Sequence, residues 1–210
     1  MALVSSRWRD VELDRIERRG SFRPIVNAKR SLPTPRADGM TNIIEATLRL
    51  LQSNGPGDIT LRDVARESGH GPRLIIEWFG GKGGLFAAVC EKIFSDLATS
   101  GELFYSDVAL RPEVVMAFRV FNHMQVNHPE VVVAVRSGAV FETVKKRLRE
   151  NQGMSEEEAL RVARRISVLT VGLALFREFV GLSEDDAMQM YKDEFFTSSG
   201  ILLPDNPNRA

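Results

Sequence analysis

Cysteine is nearly missing from this chain of 210 residues: Cys90 is the only one. A single thiol closes no internal disulfide, which fits a reducing compartment, so a cytoplasmic protein is expected. Cys90 sits in the apolar stretch LFAAVC and reads as a buried, inert thiol. Long apolar runs are missing as well. The longest, around Val168–Phe176, falls well short of the roughly 20 residues that span a bilayer. The opening MALVSSRWRDVELDRIERRG lacks the apolar core of a secretory signal. No membrane partner is expected. Net charge is also lacking, since 28 Lys and Arg balance 28 Asp and Glu, which argues against a uniformly basic nucleic-acid binder. No stretch alternates with period two for long enough to form a strand. His70, His123 and His128 show no metal-ligand spacing with Cys or paired carboxylates. The GGKGG run at 80–84 lacks the spacing and the preceding strand of a phosphate loop. Neither a nucleophile elbow nor a dinucleotide fingerprint is present. No enzyme activity, cofactor or metal is expected.

What is present is organisation. Residues 1–90 hold 14 Lys/Arg against 10 Asp/Glu, a balance of +4, whereas residues 91–210 hold 14 against 18, a balance of −4. Within 1–36, nine basic residues face four acidic ones. A basic front is joined to an acidic back. Trp8–Arg19 reads as a short charged helix. The proline-rich stretch SFRPIVNAKRSLPTP reads as an extended or disordered arm whose Arg23, Lys29 and Arg30, together with Arg36, are suited to a DNA backbone or minor groove.

From about residue 37 the pattern turns helical. Ile43, Ile44, Ala46, Thr47, Leu50 and Leu51 recur at helical spacing until Asn54-Gly55-Pro56-Gly57 stops them. Thr60 and Asp63 have capping-box spacing and open a second helix that ends at Gly69. Pro72 then opens a short third helix with Ile75, Trp78 and Phe79 on its apolar face. Two short helices about a glycine turn, with a third in front, make a helix-turn-helix at roughly 41–82, the second short helix being slim enough for the major groove. Ala65 is small enough to let the two approach. Further helices are expected over Leu85–Thr99, Pro112–His128, Pro129–Asn151 with a break at Gly138, Ser155 to about Val180, and Ser183 to near Phe196, followed by an irregular tail. The expected fold is all-α: a three-helix head on a larger helical domain.

The stretch ITLRDVARESGHGPRLIIEWFGGKGGLFAAV resembles the TetR family of transcriptional regulators. It has a Thr cap, an R-D-V-A-x-x-x-G helix, a recognition helix ending in an aromatic residue and Phe, then Gly-x-Lys and a Leu-led long helix. The resemblance covers about residues 40–95. It implies an N-terminal reading head on an effector-binding and dimerising domain, and most such proteins are repressors that release DNA when a small molecule binds. The sequence departs from the family where DNA is touched. Gly71 stands where Ser or Thr usually caps the recognition helix, Ile76 where a Tyr hydroxyl meets phosphate, and Leu74 where a small polar residue is common.

With Ile75, Trp78 and Phe79 turned inward, the expected reading face is Arg73, Leu74, Ile76 and Glu77. Only Arg73 donates to guanine or phosphate, Leu74 and Ile76 suit thymine methyls, and Glu77 suits a cytosine amine. Lys82 and Arg62 are candidate phosphate contacts, and Thr60 and His70 complete the expected DNA-facing set. The apolar breadth of Ala159–Val180, with Gly172 and Ala174 allowing close approach, points to a homodimer interface. Phe104, Tyr105, Phe118, Phe121, Met124 and Phe141 are the candidate lining of an effector pocket, with Asn122, His123 and His128 as polar handles, the Phe and Met content favouring an apolar or aromatic effector. The expected division is a basic arm at 1–36, a DNA-binding head at 37–84 and a ligand-binding and dimerisation domain at 85–210. The expected function is a ligand-responsive repressor that binds a palindrome in double-stranded DNA as a dimer. The alternative is a TetR-like small-molecule or protein-binding module with a degenerate head.

Overall fold

The computed structural model describes residues 35–135 and 139–207. Its elements are α1 (Pro35–Ser53), α2 (Leu61–Ser68), α3 (Pro72–Phe79), α4 (Lys82–Ser100), α5 (Pro112–Asn127), α6 (Pro129–Val135), α7 (Ala139–Gln152), α8 (Glu156–Phe176) and α9 (Glu184–Ser199), with short 3-10 turns at Glu102–Phe104 and Val108–Leu110. There is no strand among the described residues. The all-α expectation holds, with a three-helix head on a larger helical body. Trp8–Arg19, Arg23, Lys29, Arg30 and the break expected at Gly138 lie outside the described residues.

Local chemistry places the ends of the elements. Thr60 caps α2 by accepting from the Asp63 amide, and the Asp63 carboxylate accepts from the Thr60 amide at 3.0 Å. Ser155 and Glu158 repeat this box at α8, and Ser183 accepts from the Asp186 amide at α9. Each cap satisfies amides that the first turn of a helix leaves without a partner. Two ends differ from the sequence reading. Helix α8 stops at Phe176 rather than near Val180, because the chain turns back there and the Leu182 amide donates to the Arg177 carbonyl at 3.0 Å. Helix α9 continues past Phe196 to Ser199, where Gly200 takes the left-handed cap conformation.

Helix α4 is the mast of the molecule. Leu85, Phe86, Val89, Cys90, Ile93 and Leu97 are all buried, and α4 packs against α1 and α3 of the head and α5, α6 and α7 of the body. Its first half, where head and body both press on it, is almost wholly apolar, whereas its second half keeps an exposed polar face at Glu91, Ser95, Asp96 and Thr99. It begins at Lys82, three residues earlier than expected, so Gly83 and Gly84 are helical rather than part of the break. Gly83 is there for space: a Cβ on it would lie 2.9 Å from His128 Cγ and 3.1 Å from Val131 Cγ2. Thr47 is fully buried in α1 and resolves its polarity by donating to the Ile43 carbonyl at 2.8 Å.

The body is closed by its own tail. Residues 201–207 are not helical but are docked: the Ser106 amide donates to the Pro204 carbonyl at 3.0 Å, the Ser106 hydroxyl to Asp205 at 2.9 Å and the Asn206 amide to Asp107 at 2.9 Å. Leu203 is buried beside them.

Candidate nucleic-acid interface

The head is held as one block. Helix α2 packs on α1 and α3 on α2. Ile43, Ala46, Val64, Ile75 and Phe79 are buried at their junction, and an Arg49–Glu67 ion pair at 2.8 Å ties α1 to α2 at the surface. Gly69 at φ 72° makes the sharp turn that only glycine adopts without strain. Ile75 and Phe79 point inward as expected. Trp78 is only half-buried and seals the far end of α3 against α1. A Cβ on Gly39 would lie 2.8 Å from the Trp78 ring and 3.1 Å from His70 Nε2. The His70 ring stands 6.1 Å from Trp78 and the Arg36 guanidinium 5.9 Å over it. The sequence reading missed this cluster. Its one visible signal was a glycine inside a helix, a costly choice unless another group needs the room.

The opposite side of α3 faces solvent. Arg73, Ile76 and Glu77 are exposed, Ile76 at 54% of its full surface, and Leu74 is half-buried. An exposed isoleucine of that size on a short helix is surface held free of the core. Arg62 is exposed in the first turn of α2. Thr60 is exposed too, but its hydroxyl is engaged within its own cap, donating to Asp63 at 2.6 Å while accepting the Asp63 amide. That engagement also holds the Asp63 carboxyl below its ordinary value. His70 bonds through Nδ1 to the Ser68 carbonyl at 2.8 Å, which turns the ring towards Trp78 rather than away from the head. Lys82 is half-buried, with Nζ 5.3 Å over the Phe86 ring. Its pKa is lowered by desolvation, against an opposing pull from Asp58. Arg36, assigned from sequence to the arm, stands instead in the first turn of α1.

Residues 43–89 match the family model described as bacterial regulatory proteins, tetR family. The protein carries a TetR-family reading head. The match ends within α4, so it takes in the mast that joins head to body as well as the helix-turn-helix. No curated protein matches the chain. Among solved structures, a tetR-family transcriptional regulator from Streptomyces coelicolor is similar at a TM-score of 0.53 and 16% identity, over 78% of this chain and 82% of that one. A TetR transcriptional regulator from Rhodococcus sp. RHA1 is similar at 0.51 and 17%, over 80% and 99%. At these identities the likeness is one of fold, and it extends through the body. The chain thus has the fold of a DNA-binding transcriptional regulator. Within this head, Gly71 precedes α3 with no side chain to cap it.

Seven of the residues expected around an effector are spread over the first 3-10 turn and the Tyr105 that follows it, α5 and α7. Phe104 and Met124 are buried, Tyr105, Phe118, Phe121 and Phe141 are half-buried, and Asn122 is exposed. Phe118 stacks at 5.5 Å on Phe94 of α4. The Arg147 guanidinium lies 3.8 Å over the Phe104 ring. Two concavities of about 280 and 450 Å³ lie elsewhere, one on α7 around Lys146, Arg149 and Met154, the other along α9 around Asp186, Met190 and Asp193. No cluster of three or more metal-ligating side chains occurs among the described residues, and no helix described there is long and apolar enough to cross a membrane.

Proposed function

We propose that this protein is a ligand-responsive transcriptional repressor that binds a palindromic operator as a homodimer. The reading rests on one observation. A capped, internally locked helix-turn-helix presents Arg73 on the open face of α3, mounted on a mast that runs into a larger helical body. Arg73 is the base-reading or phosphate-pairing donor. Arg62 and Lys82 serve as phosphate contacts, and Leu74 and Ile76 offer methyl contacts. Residues 37–84 are the reading head, and residues 85–210 bind the effector and pair the subunits. Effector and DNA are then linked reciprocally, each altering the affinity for the other by the same factor.

The dimer reading draws on the back of the body. Val168, Phe176, Phe179 and Val180 are exposed, and Gly172 between them has nothing within 4 Å of a Cβ position. An apolar stripe of this kind on a helix-rich surface is a self-association face. The effector, an apolar or aromatic small molecule, is assigned to the Phe- and Met-rich layer between α4, α5 and α7.

Selection from random double-stranded DNA with the purified protein tests the reading. Recovery of a palindrome, and loss of about 1–3 kcal/mol with relaxed preference at one base on Arg73→Ala, supports it. The second reading, a binding module with a degenerate head, draws on Ile76 and Glu77 standing exposed where donors are wanted. Selection that yields no preferred sequence at low salt, with Arg73→Ala without effect, favours that reading instead.

A further inference from the structure

The joint between head and body holds a titratable group that the reading face does not use. His123, on α5 of the body, sets its ring edge-on to Phe86 of the mast, centroids 5.9 Å apart. Lys82 Nζ lies over the same Phe86 ring at 5.3 Å. The His128 ring, just past the end of α5, is 6.4 Å from His123, and Gly83 of the mast is pressed directly against it. On the head side, a Cβ on Gly57, in the turn between α1 and α2, would be 3.9 Å from His123 Cε1. His123 is therefore a body residue packed on Phe86 in the second turn of the mast, with the head turn close by.

Its surroundings favour a neutral ring. The Asn127 side-chain amide approaches His123 Nδ1 at 3.3 Å while donating to the His123 carbonyl at 2.9 Å. An amide nitrogen only donates, so Nδ1 accepts and the neutral ring carries its proton on Nε2. The basic neighbours are Lys82 from the mast and His128 from the α5–α6 junction. The nearby carboxylates answer those two groups rather than His123: Asp58 acts on Lys82, and Glu130 Oε1 lies 3.9 Å from His128 Nδ1. A proton on His123 thus breaks the Asn127 contact and adds a cation beside a lysine, with no carboxylate of its own. Burial, then Lys82, then His128 all lower the His123 pKa from its ordinary 6.5.

We propose that His123 is a proton-operated latch: neutral, it seats the head against the body, and protonated, it is repelled from Lys82 and releases the head turn and the start of the mast. Because Lys82 is among the phosphate contacts assigned above, acidification would alter DNA affinity through the same joint, and that consequence rests on the repressor reading. The latch itself does not. The sign follows from linkage. A base with a lowered folded pKa binds fewer protons when folded, so the seated state is favoured above about pH 6.5 and loses ground as pH falls through that value.

The test uses the full-length protein without DNA. Histidine ring resonances are followed by NMR from about pH 8 to pH 5, and amide-exchange protection at Gly57–Thr60 and Lys82–Phe86 is measured over the same range. The expected result is a His123 midpoint below 6.5 and a loss of protection that tracks it, reaching tenfold for each pH unit separating that midpoint from 6.5. His123→Gln, which keeps polarity but cannot take a proton, should hold its protection throughout, and Lys82→Met should raise the His123 midpoint. A His123 midpoint at or above 6.5, or protection that falls equally in His123→Gln, overturns the latch. If His123→Gln does not fold, the wild-type midpoint and its rise in Lys82→Met decide the matter. Failure to select an operator bears on the repressor reading and leaves this result standing.

Discussion

Gly71→Ser is expected to stabilise the protein. At Gly71 the backbone is extended, φ −66° and ψ 145°, and a Cβ there has nothing within 4 Å. Any residue adopts that conformation, so the folded state incurs no strain. The unfolded chain loses freedom when glycine is replaced, which contributes about 0.4–1 kcal/mol in favour of folding. A serine hydroxyl at this N-cap also accepts from an amide of the first turn of α3, adding a few tenths. The sum is about 1 kcal/mol, or a rise of roughly 2–4 °C in melting temperature for a chain of this size. Gly69→Ser is the matched control. The same chemical change two residues earlier forces a side chain into the left-handed region at φ 72°, costing about 1–2 kcal/mol, so its midpoint should fall. Thermal unfolding by far-ultraviolet circular dichroism, with tryptophan fluorescence to follow Trp78 in the head, measures both. Two shifts of the same sign would refute the reasoning, because the sign of the contrast is set by the backbone angles.

Three further outcomes follow from named contacts. Thr60→Ala removes the side-chain half of the α2 capping box, the hydroxyl that accepts from the Asp63 amide and donates to the Asp63 carboxylate, and should cost about 0.5–2 kcal/mol at neutral pH. The Asp63 carboxyl is held below 3.8 first by that hydroxyl and then by the Thr60 amide, so the share carried by the hydroxyl–carboxylate bond is present above that pH and fades as acid protonates the group. Urea titrations of variant and wild type should therefore draw closer in acid. Cys90 is buried and its thiol is pushed up to about 12, so a thiol reagent should label it only as fast as the protein opens, and rapid labelling in native buffer would contradict its placement. Val168→Asp and Phe179→Asp lie on side chains 73% and 88% exposed, so neither should perturb the fold of a subunit. Sedimentation should nonetheless show a shift from dimer to monomer. A dimer that survives both changes would place the interface elsewhere.

Much of the molecule was legible because its signals are local. Thr60 with Asp63, Ser155 with Glu158 and Ser183 with Asp186 each announce a helix start within four residues, and Gly69 announces a turn. Ile75 and Phe79 announce the buried side of α3 by spacing alone. The candidate reading face followed by subtraction, and Arg73, Ile76 and Glu77 are indeed outside, with Leu74 halfway. What escaped depends on partners distant in sequence. Nothing near Trp78 says that Gly39 clears its seat, and nothing near Gly83 says that His128 will fill the space. The glycines at 83 and 84 look like helix breakers until the neighbouring helix that needs the room is known. Thr60 differs, because the Asp63 that engages its hydroxyl lies three residues away and the capping box is readable from spacing.

The bonds between Ser106 and Asp205, and between Asp107 and Asn206, each join residues 99 positions apart. They make the body a noncovalent ring whose two ends meet beside the first 3-10 turns, while the head hangs outside it on the mast. A ring tolerates being opened elsewhere if its clasp holds. A single proteolytic nick at the exposed Gly153 between α7 and α8 should leave two fragments that migrate together under native conditions and separate only in denaturant.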